Sequence, residues 1–193
     1  MEENSINNHY DLLIIGGSAG SLDVLMHLLP ALRTDLKLAV IIILHRKPGE
    51  SFLTNLLDDK LKWPVKEAEE KEPIESGTIY IAPADYHLLI EKGRTFSLDY
   101  SEKVHFSRPS IDVSFESAAE VYGNSVVAIL LSGANADGAE GLLKIKNSGG
   151  LTIAQSPGEA TVSYMPQQAI DLFSVDYIAD TAQMIQIINQ LNL

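Results

Sequence analysis

The chain has 193 residues, of which 46% are hydrophobic and 21% charged, and its net charge is −12. This size fits one domain with a sizeable core, and the acidic balance disfavours nucleic acid or an anionic membrane surface as a partner, because both attract clustered Lys and Arg. The absence of cysteine excludes disulfides, thiolate metal sites and a cysteine nucleophile, and it fits a cytoplasmic protein.

The amino terminus is polar and acidic and lacks the basic and apolar regions of a signal peptide. We therefore expect residues 1–10 to form a flexible tail before a single domain over residues 11–193. The longest apolar run, residues 38–44, is far shorter than the ~20 residues that a membrane helix requires. It predicts a buried strand, and no insertion into a membrane is expected.

The first half of the domain alternates apolar runs with helical periodicity. Residues 12–15 and 38–44 are continuous apolar runs, which are typical of strands buried on both faces. Leucines and a methionine at helical spacing predict a helix over residues 22–29, limited by Pro30, and a second helix is predicted around residues 51–61.

The middle of the chain, residues 64–108, has a different pattern. Its apolar runs are short and are separated by Pro83, Gly93 and polar turns. Strands are predicted over residues 78–82, 88–90 and 95–98. We interpret them as a small antiparallel β meander inserted into the main sheet or packed beside it.

The alternation resumes after Ser110, which is placed to cap a helix that runs to Tyr122. Further strands are predicted over residues 126–131, 151–154 and 175–178, and further helices over residues 138–147, at Pro166 and over residues 181–192. Strands that alternate with helices in this way imply a doubly wound, mostly parallel α/β sheet with helices on both faces.

Three predicted strand ends carry side chains with catalytic potential. Ser18 follows the first strand, His45 follows the second, and Asp137 lies shortly after the strand over residues 126–131. In an open parallel sheet, ligands bind beyond the carboxyl ends of the strands. The three segments therefore converge on one edge of the sheet and predict a Ser–His–Asp catalytic triad.

Each of the three residues has a role in such a triad. Ser18 lies in a Gly-x-Ser-x-Gly turn between a strand and a helix, which exposes the hydroxyl and offers backbone N–H groups to an oxyanion. His45 would act as the general base, and Asp137 would orient it and stabilise its cation. The chain order Ser–His–Asp differs from the Ser–Asp–His order of the α/β-hydrolases, so that family is disfavoured.

Other interpretations of the same residues stay open. A glycine-rich turn often holds a phosphate, His45 could be structural, and Asp137 before a glycine could cap a helix or form a turn. The glycine spacing does not match the dinucleotide fingerprint, and the Gly-Lys-Ser/Thr of a P-loop is absent. The histidines and carboxylates show no persuasive ligand spacing, so no metal site is expected.

Seven short sequence motifs are spread along nearly the whole chain. They are residues 15–20, 44–45, 81–87, 108–113, 132–141, 152–155 and 165–166. Taken together and in register, they resemble the catalytic domain of the chemotaxis protein-glutamate methylesterases, the CheB family. The family's triad falls on Ser18, His45 and Asp137. The resemblance implies hydrolysis of γ-glutamyl methyl esters on chemoreceptor helices, and in some members deamidation of receptor glutamines, without a metal or organic cofactor.

The resemblance also implies roles for residues beside the triad. The backbone N–H groups of Ala19 and Ala134 are candidates for the oxyanion hole, and Arg108 is a candidate to orient the substrate or attract acidic receptor helices. Two loops depart from the family pattern. Ser-Ala-Gly-Ser at residues 18–21 replaces the usual Ser-Thr-Gly-Gly, and Ser-Gly-Ala-Asn at residues 132–135 replaces the usual Thr-Gly-Met-Gly.

Typical members of this family carry an amino-terminal receiver domain, which controls the active site by phosphorylation. Only residues 1–10 precede the first predicted strand, so we expect no receiver domain and no response of this chain to a phosphodonor. Two rival functions remain. The triad could serve an acyl ester or amide that is not a chemoreceptor, or the fold could be a non-catalytic binding module that uses the turn at residues 16–21.

Overall fold

In a computed structural model of the chain, residues 9–46 and 52–192 are described, apart from the side chain of Phe52. Most of the expected tail, residues 1–8, lies outside this range, as does Ser51, where the second helix is expected to begin. Lys47, which follows His45 and Arg46 after the second strand, also lies outside it.

The centre of the fold is a sheet of seven parallel strands. The strands are β1 (Leu12–Gly17), β2 (Ala39–Leu44), β3 (Val65–Glu67), β4 (Ile79–Ile81), β7 (Val126–Leu130), β8 (Leu151–Gln155) and β9 (Tyr177–Ala179), with β5 (His87–Glu91) and β6 (Thr95–Asp99) forming a separate antiparallel hairpin. Their order across the main sheet is β3-β4-β2-β1-β7-β8-β9. The chain leaves β1 first toward β2 and later returns to its other side at β7, so the strand order reverses between β1 and β7.

Helices cover both faces of the sheet. They are α1 (Ser21–Leu28), α2 (Phe52–Asp58), α3 (Ile111–Tyr122), α4 (Ala139–Asn147), α5 (Tyr164–Leu172) and α6 (Thr181–Asn189). Side chains of α1, α2 and α6 form one core with Leu13 and Ile15 of β1, and side chains of α3, α4 and α5 form a second core with Leu12 and Ile14. Successive residues of a strand point to opposite faces, so β1 contributes to both cores and is wholly buried.

The predicted fold class is confirmed, because every pairing in the main sheet is parallel and helices lie on both faces. The middle region differs from its prediction. The strand predicted over residues 78–82 is β4, which pairs in parallel with β2, and the neighbouring edge strand β3 has no predicted counterpart. Among the strands of the described residues, β5 and β6 form the one antiparallel pair. The antiparallel insert is therefore a two-stranded hairpin rather than a meander over residues 64–108.

The prediction that Ser110 caps α3 is confirmed, because its hydroxyl accepts a hydrogen bond from the N–H of Val113. Pro30 likewise follows the end of α1 and lies in a short 3-10 turn over Leu29–Ala31. Among the described helices, none combines the length and apolar character needed to cross a membrane.

Candidate active site

The candidate site lies at the carboxyl edge of the sheet, where the strand order reverses. Ser18 directly follows β1, His45 directly follows β2, and Asp137 lies in the loop between β7 and α4. The pairing of β1 with both β2 and β7 brings these three strand ends side by side. This is the position at which ligands bind in doubly wound sheets.

Hydrogen bonds to the loop after β7 hold the turn that carries Ser18. The N–H of Ser18 donates to the carbonyl of Ser132 at 2.8 Å and to the hydroxyl of Ser21 at 3.0 Å. The hydroxyl of Ser21 in turn donates to the same Ser132 carbonyl at 2.8 Å. Gly20 completes the turn with φ 83°, a conformation that favours glycine.

His45 and Asp137 are hydrogen-bonded, with 2.7 Å between His45 Nε2 and Asp137 Oδ2. Asp137 is fully buried, and the side chain of His45 is only 11% exposed. Because Nε2 faces the carboxylate, Nδ1 is the ring nitrogen of His45 that is turned away from Asp137.

The amino-terminal end of α3 surrounds the carboxylate of Asp137 with further donors. Ser110 Oγ donates to Oδ1 at 2.8 Å, the N–H of Asp112 donates to Oδ1 at 3.0 Å, and the N–H of Ile111 donates to Oδ2 at 2.7 Å. Burial alone would raise the pKa of the Asp137 carboxyl, but the hydrogen bonds from His45 and from the start of α3 outweigh it and hold this pKa below its ordinary value. The group is therefore a stable anion beside the imidazole.

Ser18 and His45 line one cavity of about 350 Å³. Most of its wall is apolar, and the other lining residues are Leu22, Leu44, Arg46, Leu53 and Leu56. The structure thus places the predicted nucleophile and the predicted base at the polar end of a largely apolar cleft.

The two expected oxyanion donors are the N–H groups of Ala19 and Ala134, and both residues are exposed. The preceding N–H groups are engaged, since that of Ser18 donates to Ser132 and that of Gly133 donates to the carbonyl of Val162 at 3.0 Å. Within residues 9–46 and 52–192, no hydrogen bond engages the N–H of Ala19 or of Ala134. Neither N–H group is therefore engaged by the part of the protein that the structure describes.

Arg108 is not brought to the triad as a free cation. Its Nη2 donates to Asp85 Oδ1 at 2.8 Å, its Nη1 donates to the carbonyl of Ser101 at 2.7 Å, and its guanidinium stacks on the ring of Tyr100. The side chain is 10% exposed. Through these contacts Arg108 holds the segment before α3 in place. Little of its guanidinium remains accessible to a substrate.

Asn135, which stands where the family pattern has a glycine, makes two contacts that the sequence did not predict. Its Oδ1 accepts a hydrogen bond from the N–H of Asp137 at 3.1 Å, and its Nδ2 donates to the carbonyl of His105 at 3.3 Å. The amide thus ties the loop of Asp137 to the segment that precedes α3. Its departure from the family's glycine was visible in the sequence, but its partners depend on tertiary contacts.

A second acidic group, Asp112, lies against Asp137. Asp112 Oδ1 accepts a hydrogen bond from the N–H of Gly141 at 2.6 Å, and Oδ2 is 3.2 Å from His105 Nε2. Burial, together with the neighbouring charge of Asp137, raises the pKa of the Asp112 carboxyl to about 6.

His105, Asp112 and Asp137 each bring one potential metal ligand atom to within 4.8 Å of the others. However, the oxygens of Asp137 already accept four hydrogen bonds, and those of Asp112 are engaged by Gly141 and His105. A cation would have to displace these partners. We therefore describe the three residues as a hydrogen-bonded cluster.

The doubly wound parallel sheet carries a serine, a histidine and a buried aspartate at its switch point, and the class of α/β domains built in this way includes hydrolases. The profile of one family, CheB methylesterase, matches residues 13–188. The chain belongs to the CheB methylesterase family.

Individual relatives agree with this assignment. A protein of Leptospira interrogans, provisionally named protein-glutamate methylesterase/protein-glutamine glutaminase, is 44% identical over 187 residues, which cover 95% of this chain and 96% of the relative. A Pyrococcus horikoshii protein-glutamate methylesterase/protein-glutamine glutaminase is 37% identical over 85% of this chain, which spans only 46% of that relative. The crystal structure of the Thermotoga maritima CheB methylesterase catalytic domain superposes with a TM-score of 0.87 at 32% identity and covers 92% of this chain and 98% of that one.

Proposed function

We propose that this chain is a cytoplasmic protein-glutamate methylesterase that hydrolyses γ-glutamyl methyl esters on chemoreceptors with the triad Ser18, His45 and Asp137. The observation that carries the proposal is the hydrogen bond between His45 and a buried, multiply bonded Asp137, next to a cavity that His45 shares with Ser18. The names of the relatives support the choice of substrate.

The first half of the reaction acylates Ser18. His45 Nδ1 takes the hydroxyl proton as Ser18 Oγ attacks the carbonyl carbon of the ester. Asp137 stabilises the resulting imidazolium. The N–H groups of Ala19 and Ala134 bind the oxyanion, and His45 then returns the proton to the leaving group, so that methanol departs.

The second half regenerates the enzyme. Water attacks the acyl-enzyme while His45 accepts its proton, and Ser18 leaves with that proton to give a free glutamate. The same sequence with ammonia as the leaving group deamidates a glutamine. The chemistry is complete without a metal or organic cofactor.

The wall of the cavity suits the ester better than the product. Leu22, Leu44, Leu53 and Leu56 line the cavity, and Arg46, which also lines it, is paired with Glu67. A carboxylate loses hydration in such surroundings, whereas a neutral ester loses little. The product is therefore expected to leave more readily than the substrate.

The proposal is tested by methanol release from a methylated chemoreceptor, with wild type and Ser18→Ala compared. We expect the variant to lose activity by a factor on the order of 10³–10⁶, because the nucleophile is gone. Ser125→Ala is the matched control, since that hydroxyl donates to the carbonyl of Tyr122 just before the amino end of β7, away from the site.

Labelling with a fluorophosphonate, which reacts only with an activated serine, separates the rival functions. Labelling of Ser18 without methanol release would point to a different acyl ester or amide. A folded wild type that shows neither would indicate a binding module and would refute the proposal.

A further inference from the structure

A tight turn with an exposed aromatic tip precedes α3. The N–H of Ser107 donates to the carbonyl of Val104 at 2.8 Å, and the reciprocal bond is 3.2 Å, so the segment closes as a two-residue hairpin. Its central residues both have positive φ, 47° at His105 and 62° at Phe106. Phe106 is 97% exposed.

Neither local preference nor packing accounts for a phenylalanine at this position. Two-residue turns with positive φ at both centres favour Asn-Gly and related pairs, because a side chain with a Cβ is strained there. A fully exposed ring also gains nothing from burial. Strained, exposed residues that persist in a fold are candidates for a functional contact.

The turn is fixed to the loop of the catalytic aspartate by two separate contacts. The imidazole of His105 pairs with Asp112, whose N–H donates to Asp137. The carbonyl of His105 accepts a hydrogen bond from Asn135, whose Oδ1 accepts from the N–H of Asp137. Phe106 therefore projects from a segment whose position is tied to that of the triad.

We infer that Phe106 is a docking anchor for the helix of the protein substrate, an inference that rests on the proposed function. A helix about 10 Å wide cannot enter the cavity, so it must lie across the surface around the mouth while one glutamyl ester reaches Ser18. Aromatic side chains on rigid supports are the usual anchors of such contacts. The partner is an amphipathic helix with an apolar side chain beside the esterified glutamate.

The test compares wild type with Phe106→Asn on two reactions. Asparagine tolerates positive φ, so the variant keeps the turn and removes only the ring. With methylated chemoreceptor we expect kcat/KM to fall about tenfold, mostly through KM, as for loss of an interface anchor. Labelling of Ser18 by a fluorophosphonate, which needs no docking surface, should keep its rate.

Controls separate the ring from other effects. Phe106→Trp should restore kcat/KM on the receptor, and Tyr177→Ala, an exposed aromatic at the amino end of the edge strand β9, should behave as wild type. Equal kinetics of Phe106→Asn and wild type on the receptor would overturn the inference. A parallel loss of fluorophosphonate labelling would do so too, because the turn would then be structural. Absence of methanol release by wild type would instead overturn the proposed function and this inference with it.

Discussion

Asp137 is the residue on which most of the site's contacts converge. It accepts hydrogen bonds from His45, Ser110, Ile111 and Asp112, and it is fully buried. A buried carboxylate is stable only when its lone pairs are engaged in this way. Every partner of the two oxygens is a hydrogen-bond donor, so the site accommodates the ionised carboxylate and not the protonated acid.

We expect Asp137→Asn to damage both activity and stability. An amide NH₂ in place of either oxygen would face donors such as the Ile111 N–H or the Ser110 hydroxyl, and His45 would lose its orientation. Loss of kcat on the order of 10⁴ is expected, with about 1–3 kcal/mol less unfolding free energy. Receptor demethylation and urea unfolding measure the two effects.

Asp59→Asn is the control for this substitution, since Asp59 is an exposed acid in a turn. Activity of Asp137→Asn equal to that of the control would remove Asp137 from the proposed triad. Unchanged stability would show that the amide finds acceptors that the structure does not provide.

At this scale, the sequence predicted which residues meet but not how they are supported. Ser18, His45 and Asp137 each follow a strand, and the parallel topology alone brings such strand ends together. The contact of Asn135 with His105 depends on a turn at residues 104–107, and no periodicity in the sequence predicts that turn. The hydrogen bond from Arg108 to Asp85 could not be predicted from the sequence either, because it joins two loops.

At the scale of elements, the turn from β1 into α1 has strict steric requirements. A Cβ on Gly20 would lie 2.5 Å from Thr161 Cβ and 2.9 Å from Ser132 Oγ, on a backbone with φ 83°. The turn therefore needs glycine for its conformation and for its close approach to the loop after β7.

Gly20→Ala tests this requirement. We expect it to lower both the unfolding free energy and the rate at which Ser18 reacts with a fluorophosphonate, because Ser132 must move and it holds the Ser18 turn. Gly77→Ala is a matched control, since Gly77 has φ 81° and an added Cβ would meet nothing within 4 Å. The control should cost only the backbone strain, about 1 kcal/mol. Equal effects of the two substitutions would refute the steric argument.

The elements themselves followed from the pattern of apolar residues, apart from the middle region. Long apolar runs such as residues 38–44 were predicted to be buried strands, and the structure confirms this. The strand β3, Val-Lys-Glu, is too short and too polar to produce a signal, and β4 is bounded by turn residues that suggested a meander. Which sheet a three-residue strand joins is decided by tertiary packing.

At the scale of the whole molecule, two neighbouring carboxyl groups give opposite contributions to the pH dependence of stability. The pKa of Asp112 is about 6 in the fold against an ordinary 3.8, so this group destabilises the fold above pH 6 and the penalty shrinks as pH falls toward 4. The pKa of Asp137 is lowered, so its stabilising contribution is present above about pH 4 and is lost as pH falls further.

Asp112→Asn isolates the first contribution. The amide oxygen still accepts from the Gly141 N–H, and the charge next to Asp137 is removed. The unfolding free energy of wild type relative to the variant should rise by about 1 kcal/mol between pH 7 and pH 5, because only wild type takes up the proton. Denaturant unfolding at both pH values measures it, and parallel curves would contradict the assignment.

The fold class was the most predictable property, because strands and helices alternate along most of the chain and only a parallel sheet accommodates that order. The acidic composition, with a net charge of −12, indicated little about the fold and served mainly to disfavour nucleic acid and anionic membranes as partners.

The support of the Ser18 turn has a consequence for the order of folding. The carbonyl of Ser132 accepts a hydrogen bond from the hydroxyl of Ser21, which lies 111 residues earlier in the chain. The hydroxyl of Ser132 donates to the carbonyl of Ala19 and accepts from the N–H of Val162. A loop of that length closes only when β1 and β7 have paired, and the contact with Val162 also needs the segment after β8. We therefore expect Ser18, the proposed nucleophile, to gain its geometry late in folding, once both halves of the sheet have joined.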